Sequence, residues 1–428
     1  MKFFISSIPF FDEKMAVHAY RLMMRDGDKL ISSDEYYRML NASMRTPALD
    51  TVEQIGVEPF AGDCDLFLDI EEYQLLIGLP LNTKIPPEKL ICIVDQSIVS
   101  DDSVRAKLEI LRENGYRLAV DGLPVNLELE DVSDTFDYIL LNFKSDCFVV
   151  ELKALRSYLS KIKLVITNIP DKQSFDKFAG LPDILLTGDF FKEPITEGKI
   201  NISPIKINAL HLIKQINDEN FDLGSAAKTI EQDPALSISL LRFINSINPN
   251  RSKKIESIRG AVAILGQKEV RKWATVAISV GIGEDRPSEI TRLSLIRAKF
   301  AENLATAFEM GIKSGSLFIA GLFSLLDVIL QLPMNRAIDE VAVADEVREA
   351  LISNKGQIAE VLSLVRLYER ADWYSASINM MRNNVDVEVI TEAFIGALLW
   401  YKQLLDTIDS EAEEHAEAEA EEHVISNK

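Results

Sequence analysis

Cysteine is scarce in this chain. Cys64, Cys92 and Cys147 are the only three in 428 residues, they form no C-x-x-C pair, and their number is odd. A disulfide framework and a cysteine-based zinc site are thereby excluded, and each thiol is expected to act as a small buried hydrophobe in a reducing compartment. Histidine is also rare, with four residues, of which only His211 falls between Ile205 and Tyr401. A lone histidine there reads as a surface or packing residue, so imidazole metal chemistry is excluded from that half. Positive charge is in deficit: 46 Lys and Arg stand against 67 Asp and Glu, for a net charge of −21. That excludes a general nucleic-acid binder, which needs clustered cations for phosphates, and disfavours anionic membrane surfaces. Long apolar runs are missing too. None reaches the roughly 18 uncharged residues of a membrane span. The opening MKFFISSIPFFDEKM is broken by Pro9, Asp12 and Glu13 and lacks a cleavage site, so it reads as a buried first strand, not a signal peptide. The expected compartment is the cytoplasm, without membrane contact. No GxxxxGK[ST] loop occurs, and the GxG of GIGEDRP at 281–287 follows no strand and is read as a loop.

What is present is apolar residue in quantity, 47% of a chain long enough for two or three cores. In the first 200 residues, short apolar runs at Leu66–Ile70, Leu90–Val94, Arg117–Val120, Tyr138–Leu141, Lys163–Ile166 and Ile184–Leu186 predict buried parallel strands. Helical patterns lie between them, at Ser103–Asn114 (stopped by Gly115), Val149–Lys161 and Lys172–Ala179. Strand and helix in alternation predict an α/β fold with a TIM-like barrel. The stretch EPITEGKINISPIK, Glu193 to Lys206, marks a boundary. Beyond it the periodicity is helical throughout, which predicts an all-α domain of short packed helices. The expected division is 1–200, 201–405, and an acidic tail at 406–428. The tail, rich in Glu and Ala, is expected to be disordered, or to extend the last helix. Its His415 and His423 read as part of a solvated charged segment.

Particular segments carry family resemblances. VHAYRLMMR at 17–25, KLICIVDQSI at 89–98, LRENGYRLAVDGLP at 111–124, FDYILLNF at 136–143, KLVITNIPDKQSF at 163–175 and LLTGDFFKEP at 185–194 come in the order and spacing of an EAL domain. That family is a TIM-barrel phosphodiesterase acting on cyclic di-GMP. DPALSISLLRFINS at 233–246, IESIRGAVAILGQKEVRKW at 255–273 and FIAGLFSLLDVILQLPM at 318–334 resemble an HDOD domain, a helical relative of HD phosphohydrolases. EAL followed by HDOD is an architecture of bacterial signalling proteins.

The EAL resemblance implies two divalent cations on acidic oxygens and an Asn, with a Lys beside them. Hard cations want such ligands, and two of them clamp both oxygens of a phosphodiester. Matched position by position, this chain has lost most of the set. Arg21 stands for the name-giving Glu, Asp69 for the Asn, Ile93 for an acid, and Asp121-Gly122 for the paired Asp. Leu140 stands for the Lys, Asn142 for an Asp, Asn168 and Asp171 for the two late Glu, and Thr187 for the Gln. No catalytic residue and no bound metal or cofactor is therefore expected, and Asp121 reads as a strand-end acid bonding nearby backbone N–H groups. In the HDOD half, Ser324 and Leu325 occupy the His-Asp positions.

The expectation is a non-catalytic regulatory scaffold that binds other signalling proteins, with a link to cyclic di-GMP and to motility or biofilm implied by the resemblance alone. The alternative is a sensor that binds cyclic di-GMP without cleaving it, through Arg25, Asp121 and Thr187. EAL barrels often pair, so a homodimer is compatible with the resemblance. Leu332, Pro333 and Met334 at the end of the apolar HDOD stripe are candidates for exposure, the rest of the stripe for core.

Overall fold

The computed structural model describes residues 3–26, 47–193, 222–231, 240, 244, 255–281 and 289–426, less a few single positions within those ranges. His211, the GIGEDRP loop after Gly281, the 193–206 boundary after Glu193 and most of DPALSISLLRFINS lie outside the described residues. The chain divides into two compact units. One comprises Met1–Glu193 and Arg366–Thr391; the other comprises Pro194–Val365 and Glu392–Lys428.

The first unit is a closed barrel of eight strands in sequence order. They are β1 (Phe3–Phe11), β2 (Val17–Asp26), β3 (Asp65–Asp69), β4 (Leu90–Asp95), β5 (Arg117–Asp121), β6 (Tyr138–Asn142), β7 (Lys163–Ile169) and β8 (Ile184–Gly188). β2 through β8 are parallel, whereas β1 is antiparallel to both β2 and β8. This departs from an all-parallel sheet, and the local cause is the tight link between β1 and β2. Asp12 Oδ1 accepts from the backbone N–H of Lys14 and of Ala16, both at 2.8 Å. Met15 takes the left-handed conformation that the reversal requires, at φ 65°. A hairpin must be antiparallel, whereas each later strand arrives by a helical crossover. β2 is not legible as a strand in the sequence, because His18, Arg21 and Arg25 interrupt the apolar residues of VHAYRLMMR, leaving neither one apolar run nor a strict alternation.

The interior is filled by Phe10, Ala19, Phe67, Ile91, Ile93, Ala119, Tyr138, Leu140 and Val165, a packed plug and not a pore. Between strands, the helix Asp102–Glu113 starts at Asp101, whose carboxylate accepts from the N–H of Ser103 and Val104. It ends before Gly115, whose φ of 86° and N–H bond to Arg112 O make the expected stop.

The N-terminal end of β1, which runs beside the C-terminal end of β2, is covered from far along the sequence. The segment Arg366–Thr391 contains the end of the helix Gly356–Glu369 and the whole of the helix Trp373–Asn383. Trp373 stacks on Phe4 with ring centroids 5.1 Å apart, and Tyr368 meets both rings edge-on. Ile5 N–H donates to the Tyr368 hydroxyl at 3.2 Å, Ser6 Oγ donates to Glu369 O at 3.3 Å, and Thr391 Oγ1 donates to Phe3 O. Residues expected to belong wholly to the helical domain thus build part of the barrel unit.

The second unit is helical. The helix Ile258–Gly281 is broken at Gly266 (φ 75°), where a stop was expected. The helices Glu289–Asn303 and Ser314–Leu322 cross at Gly321, where an added Cβ would come within 2.6 Å of Ala298 Cα and Arg297 O. The apolar stripe then continues as a 3-10 turn, Phe323–Leu325, and a short helix, Leu326–Leu330. Leu332, a candidate for exposure, is buried at 2%, while Pro333 and Met334 are half-buried. Gly311–Leu330 is long and apolar enough to cross a membrane, with a mean hydropathy of 1.6. Its many buried side chains and its breaks make it a core stripe here. Cys92 is buried, but Cys64 is half-buried and Cys147 exposed, so the buried-hydrophobe reading holds for one thiol of three. The last helix runs Val387–Ser426, so the tail takes the helical alternative, as a run of Ala and Glu favours.

Two outcomes follow from this packing. Burial pushes the Tyr368 phenol up to about 12 from its ordinary value of 10, against the hydrogen bonds with Thr391 and Ile5. Its neutral form therefore contributes stability that is fully present below pH 10 and lost as pH rises through about 12. Tyr368→Phe should cost about 1–2 kcal/mol at neutral pH, by stripping Ile5 N–H of its acceptor, and should flatten the alkaline loss; urea titrations from pH 7 to 11 measure both. Gly321→Ala should destabilise the helical unit by roughly 1–3 kcal/mol through overpacking, read as a lowered thermal midpoint.

Candidate functional site

In a barrel of this kind the side chains that line the mouth come from the C-terminal ends of the parallel strands. Alternation along each strand fixes which ones they are. Continuing the parity of the core plug, the inward positions at the upper level are Arg21 on β2, Asp69 on β3, Asp95 on β4, Asp121 on β5, Asn142 on β6, Thr167 on β7 and Thr187 on β8. Asp95 is engaged by its own loop, accepting from Ser97 N at 2.8 Å.

Arg21 reaches across this mouth. Its Nε donates to Asp69 Oδ2 at 3.1 Å and its Nη2 to Asp69 Oδ1 at 2.5 Å, a fork-on-fork pairing. The same Nη2 donates to Asp121 Oδ2 at 2.9 Å. The guanidinium side chain is only 16% exposed, against 42% and 37% for the two carboxylates. Burial alone would pull its pKa down, but the Asp69 and Asp121 carboxylates outweigh burial and hold the arginine above its ordinary range. Asp121 therefore has a guanidinium as its side-chain partner, where backbone N–H groups were expected. The partner is supplied by Arg21, not by Arg25.

The remaining positions are accounted for one by one. Asn168, at φ 62°, donates from Nδ2 to Asn142 Oδ1 at 3.0 Å, and Asn142 Oδ1 also accepts from Lys144 N. Two positions that the family fills with acids are here neutral amides bonded to each other. Ile93 and Leu140 are buried in the plug. Asp171 caps the helix Lys172–Asp176, accepting from Ser174 N at 2.7 Å, and the hydrogen bonds from Ser174 hold its carboxyl below the ordinary range. Gly122 has φ 89°, and a Cβ there would come within 2.6–2.9 Å of the Gln96 amide, so a second Asp at that point needs Gln96 to move. Thr187 is 5% exposed, and its hydroxyl has no hydrogen-bond partner among the described residues. Arg25 is half-buried on β2 opposite Phe4, four residues and roughly 13 Å along the strand from Arg21. The structure thus joins Asp121 to Arg21 and Asp69, and places Arg25 farther along β2 and Thr187 on β8.

At the position where the resemblance puts a Glu, Arg21 is itself the cation, shared by Asp69 and Asp121. The signal was available in the pairing of an arginine at one ligand position with acids at two others.

In the helical unit Ser324 Oγ accepts from Arg297 Nη1 at 3.0 Å, and both side chains are buried. Leu325 is buried beside it, as is Asp327. Among the described residues, no three His, Cys, Asp or Glu side chains are grouped as a metal site would need.

Arg21→Glu tests the clamp. Removing the guanidinium leaves carboxylates facing one another, so the thermal midpoint should fall. Millimolar manganese should then restore about 1–3 kcal/mol to the variant by binding the folded state, while shifting the parent protein far less. An equal shift in both proteins would show that Arg21 does not occupy the cation position.

A family model described as the HDOD domain matches residues 203–354. The chain is 26% identical over 417 residues to the "Uncharacterized protein YuxH" of Bacillus subtilis, covering 95% of this chain and 100% of that one. It is 24% identical over 406 residues to the "Cyclic di-GMP phosphodiesterase CdgJ" of Vibrio cholerae, covering 94% and 93%. Among solved structures, the calcium and cyclic di-GMP complex of Klebsiella pneumoniae BlrP1 is 15% identical with a TM-score of 0.34, covering 44% of this chain and 54% of that one. The EAL-like domain protein YdiV is 11% identical with a TM-score of 0.33, covering 44% and 89%. The chain joins a closed eight-stranded barrel to an HDOD domain at residues 203–354.

Proposed function

We propose that this chain is a non-catalytic regulator in cyclic di-GMP signalling that acts by binding other signalling proteins. The observation that carries the reading is the Arg21 guanidinium held between Asp69 and Asp121. Phosphodiester hydrolysis of the two-metal kind needs cations that neutralise the transition state and activate water. An arginine can supply charge, but it cannot lower the pKa of a coordinated water. The acids that would hold a metal are already satisfied, and the neighbouring positions carry an amide pair and two aliphatic side chains. The buried Arg297–Ser324 bond supports the same reading for the helical unit, because a hydroxyl and an arginine offer a divalent cation little.

The link to cyclic di-GMP is supported by the likeness to CdgJ along nearly the whole of both chains. That relative is named a phosphodiesterase, so the enzymatic reading is the one to test first. Purified protein with cyclic di-GMP and magnesium or manganese should show no turnover above the buffer rate over hours; steady, metal-dependent product formation would sink the proposal.

A second reading, binding without hydrolysis, is favoured by the buried Thr187 hydroxyl that lacks a partner and by Arg25 on the same inward file as Arg21. Arg is well suited to phosphate. On this reading calorimetry should detect cyclic di-GMP binding that Arg25→Ala weakens by about tenfold, the worth of one charge-assisted hydrogen bond.

A further inference from the structure

The helical unit contains a cavity of about 300 Å³ that plays no part in the function proposed above. Three of its lining residues, Lys268, Arg271 and Lys272, come from one face of the helix Ile258–Gly281, at spacings of three and four. No acidic residue lines it. In a chain of net charge −21, three cations gathered at one concavity are a departure that needs a reason.

The cations differ in their partners. Lys272 is held by Glu302 and Glu269. Lys268 donates to Ser314 Oγ at 2.7 Å, a neutral group that leaves the ammonium charge uncompensated. Ser314 opens the helix Ser314–Leu322, and Gly315 and Ser316 of its first turn line the cavity. The helix Asp345–Ser353 presents its own start on another wall, through Val343, Ala344 and Val347. Neither helix has a side-chain cap. The positive charge at the cavity comes from the side chains, because the Ser314 N–H is bonded to Gly311 O and the first turn of the other helix carries Asp345 and Glu346. Of the nearby acids, Glu346 is engaged with Lys313 at 2.6 Å.

Apart from Gln267, the rest of the lining is apolar: Ile312, Ile319, Val343, Ala344 and Val347. Ile312 is fully exposed. A cationic end joined to an aliphatic wall suits a ligand with an anionic group on an organic body, and the volume is that of a small-molecule site.

We propose that this cavity binds a small organic phosphate, with the phosphate against Lys268 and Arg271 and the organic part against Ile319 and Val347. The proposal does not depend on whether the barrel binds or cleaves cyclic di-GMP.

The test uses the full chain and adenosine 5′-monophosphate as the probe, with adenosine and inorganic phosphate as controls, by calorimetry at low salt. Saturable binding of the nucleotide is expected, with each control weaker by about tenfold or more, because each offers only half of the recognition. Lys268→Ala should weaken the nucleotide by about tenfold. Ala344→Asp serves as a second variant that cannot be dismissed as misfolded. Asp is a favoured N-cap, and Ala344 already has cap geometry at φ −61° and ψ 149°, so the thermal midpoint should hold or rise. The new carboxylate should nonetheless repel the phosphate and weaken binding. Absence of saturable binding at millimolar nucleotide overturns the proposal, as does adenosine or phosphate binding equally well, or an affinity that neither variant changes.

Discussion

Like charges brought close together in a half-dry barrel mouth cannot stay unneutralised. Asp69 and Asp121 project from two strands toward the same space, and something positive must lie between them. In this chain that charge is covalently part of β2. A bound metal comes and goes with its concentration, whereas a guanidinium on a buried strand is always present and always charged. The rest of the mouth is consistent with this choice. With the cation built in, most of the remaining positions carry no acid: Ile93, Leu140 and the Asn142–Asn168 amide pair fill four of them, while the Asp171 carboxylate caps a helix. The interaction also ties β2 to β3 and β5, so a group in the position of a reactive centre helps hold the barrel together.

The helical unit follows a related logic in a drier setting. Ser324 and Leu325 stand where a His-Asp pair would bind metal, and buried Arg297 bonds the serine hydroxyl. In both units an arginine is bonded at a position that the resemblance reserves for metal ligands. The two cases differ in surroundings: the first is a charge-balanced cluster at a half-exposed mouth, the second a buried side chain next to a helix crossing so close that only Gly321 fits.

Much of this architecture was legible in the residues. The buried parallel strands announce themselves as continuous apolar runs, because both of their faces are covered; Leu90–Asp95 is an example. Gly115 and Gly266 mark helix breaks because only a residue tolerant of positive φ sits there easily. β2 was not legible as a strand, since its inward face carries Ala19 and then Arg21, and polar residues at a mouth erase the apolar run. Arg21 was recognised as out of place, but its two partners lie 48 and 100 residues away. Local patterns carry no information on such pairings. The same limit hid the ownership of Arg366–Thr391, which has ordinary helical periodicity and no local sign that it covers a strand at the other end of the chain. Cys147 shows the weakness of composition-based expectation: a residue type that is usually buried lies exposed beside the helix Phe148–Leu155.

The cover over β1 also orders events in time. Ile5 leaves the ribosome well before Tyr368, whose hydroxyl it needs and which lies 363 positions later. At a synthesis rate of about 5–20 residues per second, that separation corresponds to roughly 20–70 s. For about the second half of that interval, once β8 has been made, the barrel has all eight of its strands but not its aromatic cover, and Phe4 lacks the rings that finally enclose it. The apolar side chains at this end of β1 therefore stay uncovered until the helix Trp373–Asn383 has been made.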